Sequence, residues 1–134
     1  MKSIIVLFAL IVISAGLTAK EEEKIKEFAK ECRTSSGIER EKLEKLRNGD
    51  IEDDPKVKDF ISCLFKKLSL QKSDGNIDQD IFKSKLSSKL TEAEKETIIN
   101  DCINLKGSND SETAFLLYKC YRSKTPSHNA DLLV

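Results

Sequence analysis

The chain has 134 residues, room for one domain, and its 23 Lys and Arg balance 23 Asp and Glu. A chain without net charge presents no attractive field to a polyanion, which excludes nucleic acid and anionic membrane surfaces as partners. Four cysteines and a single histidine narrow the chemistry further.

Residues 1–19 read as a secretory signal peptide. Lys2 gives the positive start, and Ile4 to Ile13 form an apolar run. Small residues follow in Ser14-Ala15-Gly16-Leu17-Thr18-Ala19, where cleavage is expected after Ala19 or, as second choice, after Gly16. The run is shorter than the ~20 apolar residues a membrane-spanning helix needs, and no later segment reaches that length. Cleavage removes one lysine and leaves residues 20–134, about one charge negative, as a single soluble, secreted, extracellular domain.

Within that domain the periodicity is helical throughout, with no β-alternation and no internal repeat. From Lys20 to Arg33, Ile25, Phe28, Ala29 and Cys32 fall at i, i+3, i+4 and i+7, with glutamates at the start where the helix dipole favours them. Ser35-Ser36-Gly37 breaks this helix. Ser36 and Glu39 have capping-box spacing for a short, charged second helix carrying Ile38, Leu43 and Leu46, and Asn48-Gly49 ends it. Asp54 then caps a central helix with Pro55 at its first position, where a missing N–H costs nothing. Val57, Phe60, Ile61, Leu64, Phe65 and Leu68 make its wide apolar stripe, and Cys63 sits in its middle. A turn at Ser73-Asp74-Gly75-Asn76 leads to Asp78, the N-cap expected for a helix bearing Ile81, Phe82 and Leu86. Thr91 and Glu94 form another capping box, opening a helix with Ile98, Ile99, Cys102 and Ile103 on one side and Gly107 past its end. Asn109 or Ser108 caps the last helix, whose apolar face is Ala114, Phe115, Leu117, Tyr118 and Tyr121 around Cys120. Pro126, His128 and a final Leu132-Leu133-Val134 make the tail.

Nothing along the chain assembles into a catalytic or metal site. Placing Gly75 at the sixth position of a calcium-binding loop puts Leu70 first and Ile81 twelfth, and neither has a ligating oxygen on its side chain. His128 has no partner motif, and Asp53-Asp54 before a helix-starting proline reads as a cap. The reading is therefore not an enzyme, with no cofactor and no metal. Asn109-Asp110-Ser111 is a formal glycosylation sequon, but its central aspartate and its place at a helix cap argue against occupancy. Four cysteines in a secreted chain favour two disulfides, with three pairings open on spacing alone.

The cysteines are separated by 30, 38 and 17 residues behind a signal peptide. With the runs Arg47-Asn48-Gly49-Asp50, Asp53-Asp54 before Val57-Lys58, and Ser73-Asp74-Gly75-Asn76-Ile77-Asp78, this resembles the insect odorant-binding proteins of the PBP/GOBP family. It is similar to the four-cysteine "minus-C" subgroup, with Asp59 and Ser111 at the places of the two missing cysteines. The resemblance implies an all-α fold of six short helices around an apolar cavity, stapled by Cys32–Cys63 and Cys102–Cys120. Asp59 and Ser111 either hydrogen-bond to each other or face water.

The function so implied is carriage of small hydrophobic molecules such as odorants, pheromones or lipid-like compounds. A cavity of ~300 Å³ costs on the order of 7 kcal/mol, and two disulfides at roughly 3–4 kcal/mol each are of comparable size. The expected lining is Phe60, Leu64, Leu68, Phe82, Leu86, Ile99, Ile103, Phe115 and Tyr118, about half of it solid core instead, with Tyr118 able to orient a polar ligand group. Leu132-Leu133-Val134 either folds back as a plug or ends free, and a weak homodimer fits the same reading. The alternative is a secreted helical protein-interaction module, with a filled core, an exposed apolar patch and no small ligand.

Overall fold

The computed structural model describes residues 19–86 and 90–125. The expected signal peptide, apart from Ala19, and the tail bearing Pro126, His128 and Leu132-Leu133-Val134 lie outside them. Six helices follow in order: α1 (Ala19–Ser36), α2 (Arg40–Arg47), α3 (Pro55–Lys67), α4 (Gln79–Lys85), α5 (Glu92–Cys102) and α6 (Asp110–Lys124). No described helix is long and apolar enough to cross a membrane.

Most helix starts follow from local chemistry. Asp54 accepts from the N–H groups of Lys56 and Val57 with Pro55 at the first position of α3. The Lys42 ammonium donates to the same carboxylate and, together with those backbone donors, holds it below its ordinary pKa. Asp78 caps α4 through the Ile81 N–H, and Asn109 caps α6 through that of Glu112. Thr91 and Glu94 close both halves of the capping box on α5.

Two expectations need correction. The capping box at Ser36 does not form: α1 runs through Ser36, whose hydroxyl accepts from the Ile38 N–H at 3.3 Å. Gly37 turns the chain with φ +70, and α2 starts three residues later, after Glu39, whose side chain caps nothing. Gly107, in turn, does not end α5, which stops at Cys102 with Ile103 as its cap. A Cβ on Gly107 would come within 2.2 Å of the Glu112 Cβ, so this glycine permits close approach to the first turn of α6.

Helix α3 lies at the centre, packed between α1 and α6, while α5 packs on α6 and α4 on α5. Its stripe of Val57, Phe60, Ile61, Leu64 and Phe65 is buried and belongs to one hydrophobic core drawn from every helix. Cys32–Cys63 ties α1 to α3 with a Cα separation of 5.7 Å, and Cys102–Cys120 ties α5 to α6 at 5.6 Å. The only β feature among the described residues is an isolated antiparallel bridge, Gln71 to Ile77, across the turn at Gly75. Buried Gln71 locks that turn down: its oxygen accepts from Ser62 at 2.7 Å, and its amide nitrogen donates to the carbonyls of Gly75 and Asp110.

Ser111 donates to Asp59 at 2.6 Å, so a hydrogen bond joins α3 to α6 where the family's third disulfide would stand. It lies at the surface, where water competes and its net worth is about 1 kcal/mol or less. The double variant Asp59→Cys/Ser111→Cys is therefore expected to oxidise spontaneously to a third bridge and to stabilise the protein by about 2–4 kcal/mol. Mass analysis with thiol counting, followed by denaturant unfolding, measures both. Two free thiols in the oxidised variant would show that the helices cannot approach closely enough.

Candidate ligand-binding core

The nine residues expected to line a cavity come from four helices and fall in one place. Phe60 and Leu64 of α3, Phe82 of α4, Ile99 of α5, and Phe115 and Tyr118 of α6 are buried, as is Leu86 just past α4. Leu68 and Ile103, at the ends of α3 and α5, are partly buried and pack against the same cluster. Only Tyr118 among the nine has a polar side-chain atom, so the region is chemically matched to apolar matter with one orienting group.

The aromatic rings are arranged in a chain. Phe65 meets Tyr118 edge-on at 6.4 Å between centroids, Tyr118 is tilted against Tyr121 at 6.4 Å, and Tyr121 meets Phe82 edge-on at 6.3 Å. Arg122 meets this array at Tyr118. Arg122 Nη1 donates to the Tyr118 hydroxyl at 3.1 Å, and the guanidinium carbon sits 5.9 Å from the centre of the same ring. Burial pushes the phenol up to about 12, against the opposing pull of Arg122, so it remains a neutral donor at any physiological pH.

Arg122 was not among the expected site residues. Its i, i+4 spacing from Tyr118 on the last helix was the signal available. Asn109, the sequon residue, is occupied as a helix cap. Among the described residues, no group of three or more His, Cys, Asp or Glu side chains is placed to hold a metal ion.

Two open grooves lie elsewhere on the surface. One of about 460 Å³ runs along Lys30, Arg33, Thr34, Ile38 and Arg40. The other, of about 260 Å³, is lined by Leu90, Ala93, Glu94, Thr97, Ile98 and Lys124. Neither contains any of the nine.

Six helices, two interhelical disulfides and a buried, largely apolar core define the class of small helical proteins built on the insect odorant-binding fold. Residues 14–124 match the PBP/GOBP family model, and the chain belongs to that family, with the two disulfides of its four-cysteine form. It is 33% identical over 126 residues to the B1 protein of Tenebrio molitor, covering 93% of this chain and 96% of that one. Odorant-binding protein 10 of Aedes aegypti is 35% identical over 101 residues, 74% and 71% of the two chains. Among solved structures, the fatty acid binding protein OBP56a from the oral disk of the blowfly Phormia regina superposes with a TM-score of 0.67 at 29% identity, covering 82% of this chain and 96% of that one.

Proposed function

We propose that the chain is a secreted, soluble carrier that takes small hydrophobic molecules into its apolar interior and performs no catalysis. The observation that carries this is the convergence of Phe60, Leu64, Phe82, Leu86, Ile99, Phe115 and Tyr118 from four helices into one buried cluster, with Leu68 and Ile103 at its edge. Family membership supports it, as does the likeness to a blowfly protein named for fatty acid binding. The disulfides Cys32–Cys63 and Cys102–Cys120 supply the staples that let a small shell tolerate incomplete internal packing. An interaction module would need an exposed apolar patch, and among the described residues Leu105 is the one large hydrophobic side chain that is exposed.

Burying about ten CH₂ groups of a ligand yields on the order of 8 kcal/mol gross, from which association and ordering costs leave micromolar affinity. Displacement of a hydrophobic fluorescent probe from the oxidised protein by medium-chain alcohols, aldehydes or esters is expected in that range. No displacement at high micromolar ligand overturns the carrier reading.

A further inference from the structure

Arg122 is placed unlike most of the partly buried cations. Lys42, Lys45, Lys58, Lys83 and Lys95 each reach a carboxylate within 4.0 Å, whereas Arg122 reaches none among the described residues and spends one N–H on a phenol. A guanidinium has five N–H donors in a planar fork, so most of its capacity remains unspent. The phenol has capacity too: its oxygen accepts from Arg122, and its own hydrogen is available to donate. The rest of the chain makes room for this pair. Gly49, in the loop between α2 and α3, has φ +89, and a Cβ there would stand 2.9 Å from Arg122 Nη2. The backbone conformation disfavours other residues at that loop position, and the guanidinium lies directly beside it. Tyr118 is one of the two inner rings of the buried chain Phe65, Tyr118, Tyr121 and Phe82, so a guest lying among those rings would find these donors beside it.

We infer that Arg122 and Tyr118 form the head-group end of the ligand site, an anion clamp that favours amphiphiles ending in a carboxylate over neutral amphiphiles of equal chain length. This rests on the carrier reading. The clamp offers mostly donors, the guanidinium fork and the phenol O–H, which suits an acceptor-only head group. A carboxylate is ionised at neutral pH and can accept from the Arg122 fork and the Tyr118 hydroxyl together. Charge-assisted, two-pronged contacts of this kind are the strong ones in a partly dehydrated site.

The test is probe displacement near neutral pH by dodecanoate, 1-dodecanol and methyl dodecanoate on the oxidised protein. The wild type is expected to bind dodecanoate more tightly than dodecanol or the ester. Arg122→Gln is expected to weaken dodecanoate by about 10- to 100-fold while moving dodecanol by less than about 3-fold. Tyr118→Phe keeps the buried ring and is expected to weaken dodecanoate by about 3- to 10-fold, which provides a readout that does not depend on removing the cation. Equal affinity of the wild type for acid and alcohol, or equal loss of both in Arg122→Gln, overturns the clamp and leaves the carrier standing. Failure of all three compounds to displace the probe from the wild type overturns both.

Discussion

Replacing Cys32 and Cys63 together with alanine is expected to cost about 2–5 kcal/mol and to lower the melting temperature by on the order of 10 °C. The argument has two parts. In the unfolded chain this bridge closes a loop with a sequence separation of 31, against 18 for Cys102–Cys120, so its removal releases more chain entropy by roughly 0.5 kcal/mol. In the folded chain, α1 packs chiefly on α3, and Cys32–Cys63 is the covalent link between those two helices. What otherwise holds the contact is the apolar face of Ile25, Phe28 and Ala29, with the Lys67 ammonium 5.8 Å from the centre of the Phe28 ring, and a surface ion pair, Lys67 to Glu31 at 2.6 Å. Exposed pairs of that kind contribute at most about 1 kcal/mol. Helices α5 and α6, by contrast, retain Ile98, Ile99, Leu117 and Tyr121 in the common core when their own bridge is cut. Denaturant unfolding of Cys32→Ala/Cys63→Ala beside Cys102→Ala/Cys120→Ala measures the difference. The first pair should be the more destabilising, and hydrogen exchange should quicken in α1 before elsewhere. Equal midpoints for the two variants would show that α1 is held by its packing and not by its sulfurs.

The boundary between what was legible in the sequence and what was not follows the range of the interactions. Asp54, Asp78, Thr91 with Glu94, and Asn109 act on N–H groups two or three residues away, so their helices could be placed from the chain itself. Ser36 has the same local chemistry and misled, because α1 continued far enough to use it up before α2 could. The apolar stripes were legible for the same reason, since burial on one face follows the period. The buried role of Gln71 was not. It depends on Ser62 from α3 and on the carbonyl of Asp110, 39 residues further on, neither of which periodicity relates to a polar loop residue. The choice between hydrogen bonding and solvation at Asp59 and Ser111 likewise turned on a contact across 52 residues. Arg122 combines both cases. Its partner Tyr118 is one turn away, but its guanidinium also lies against Gly49, in a loop more than 70 residues earlier.

Within the buried cluster, Phe65→Ala is expected to cost about 3–5 kcal/mol, and Phe60→Ala at least ~1 kcal/mol less. Both rings are on α3 and both are fully buried, so exposure does not distinguish them. Their surroundings do. Phe65 stands edge-on to Tyr118 at 6.4 Å, and aromatic pairs of this kind add about 0.5–1.5 kcal/mol beyond area burial. Its truncation also removes the ring that Tyr118 meets edge-on, at one end of the chain of rings. Phe60 belongs to the proposed lining. A side chain bordering space for a guest already lacks contacts on one side, so removing it forfeits fewer of them. The same substitution enlarges the space, and it should move the preferred ligand to a chain longer by about two carbons, since a phenyl group and two or three methylenes occupy comparable length. Phe65→Ala should leave that preference where it is while lowering stability. Denaturant unfolding gives the first comparison, and probe displacement by a series of alcohols of increasing length gives the second. If the two variants cost the same and the length preference is unmoved in Phe60→Ala, Phe60 is packed on all sides and the lining must be sought among the remaining residues of α4, α5 and α6. If Phe60→Ala alone shifts the series, the face of α3 that carries Phe60 and Leu64 borders the guest, while the flank that carries Phe65 holds the rings in place.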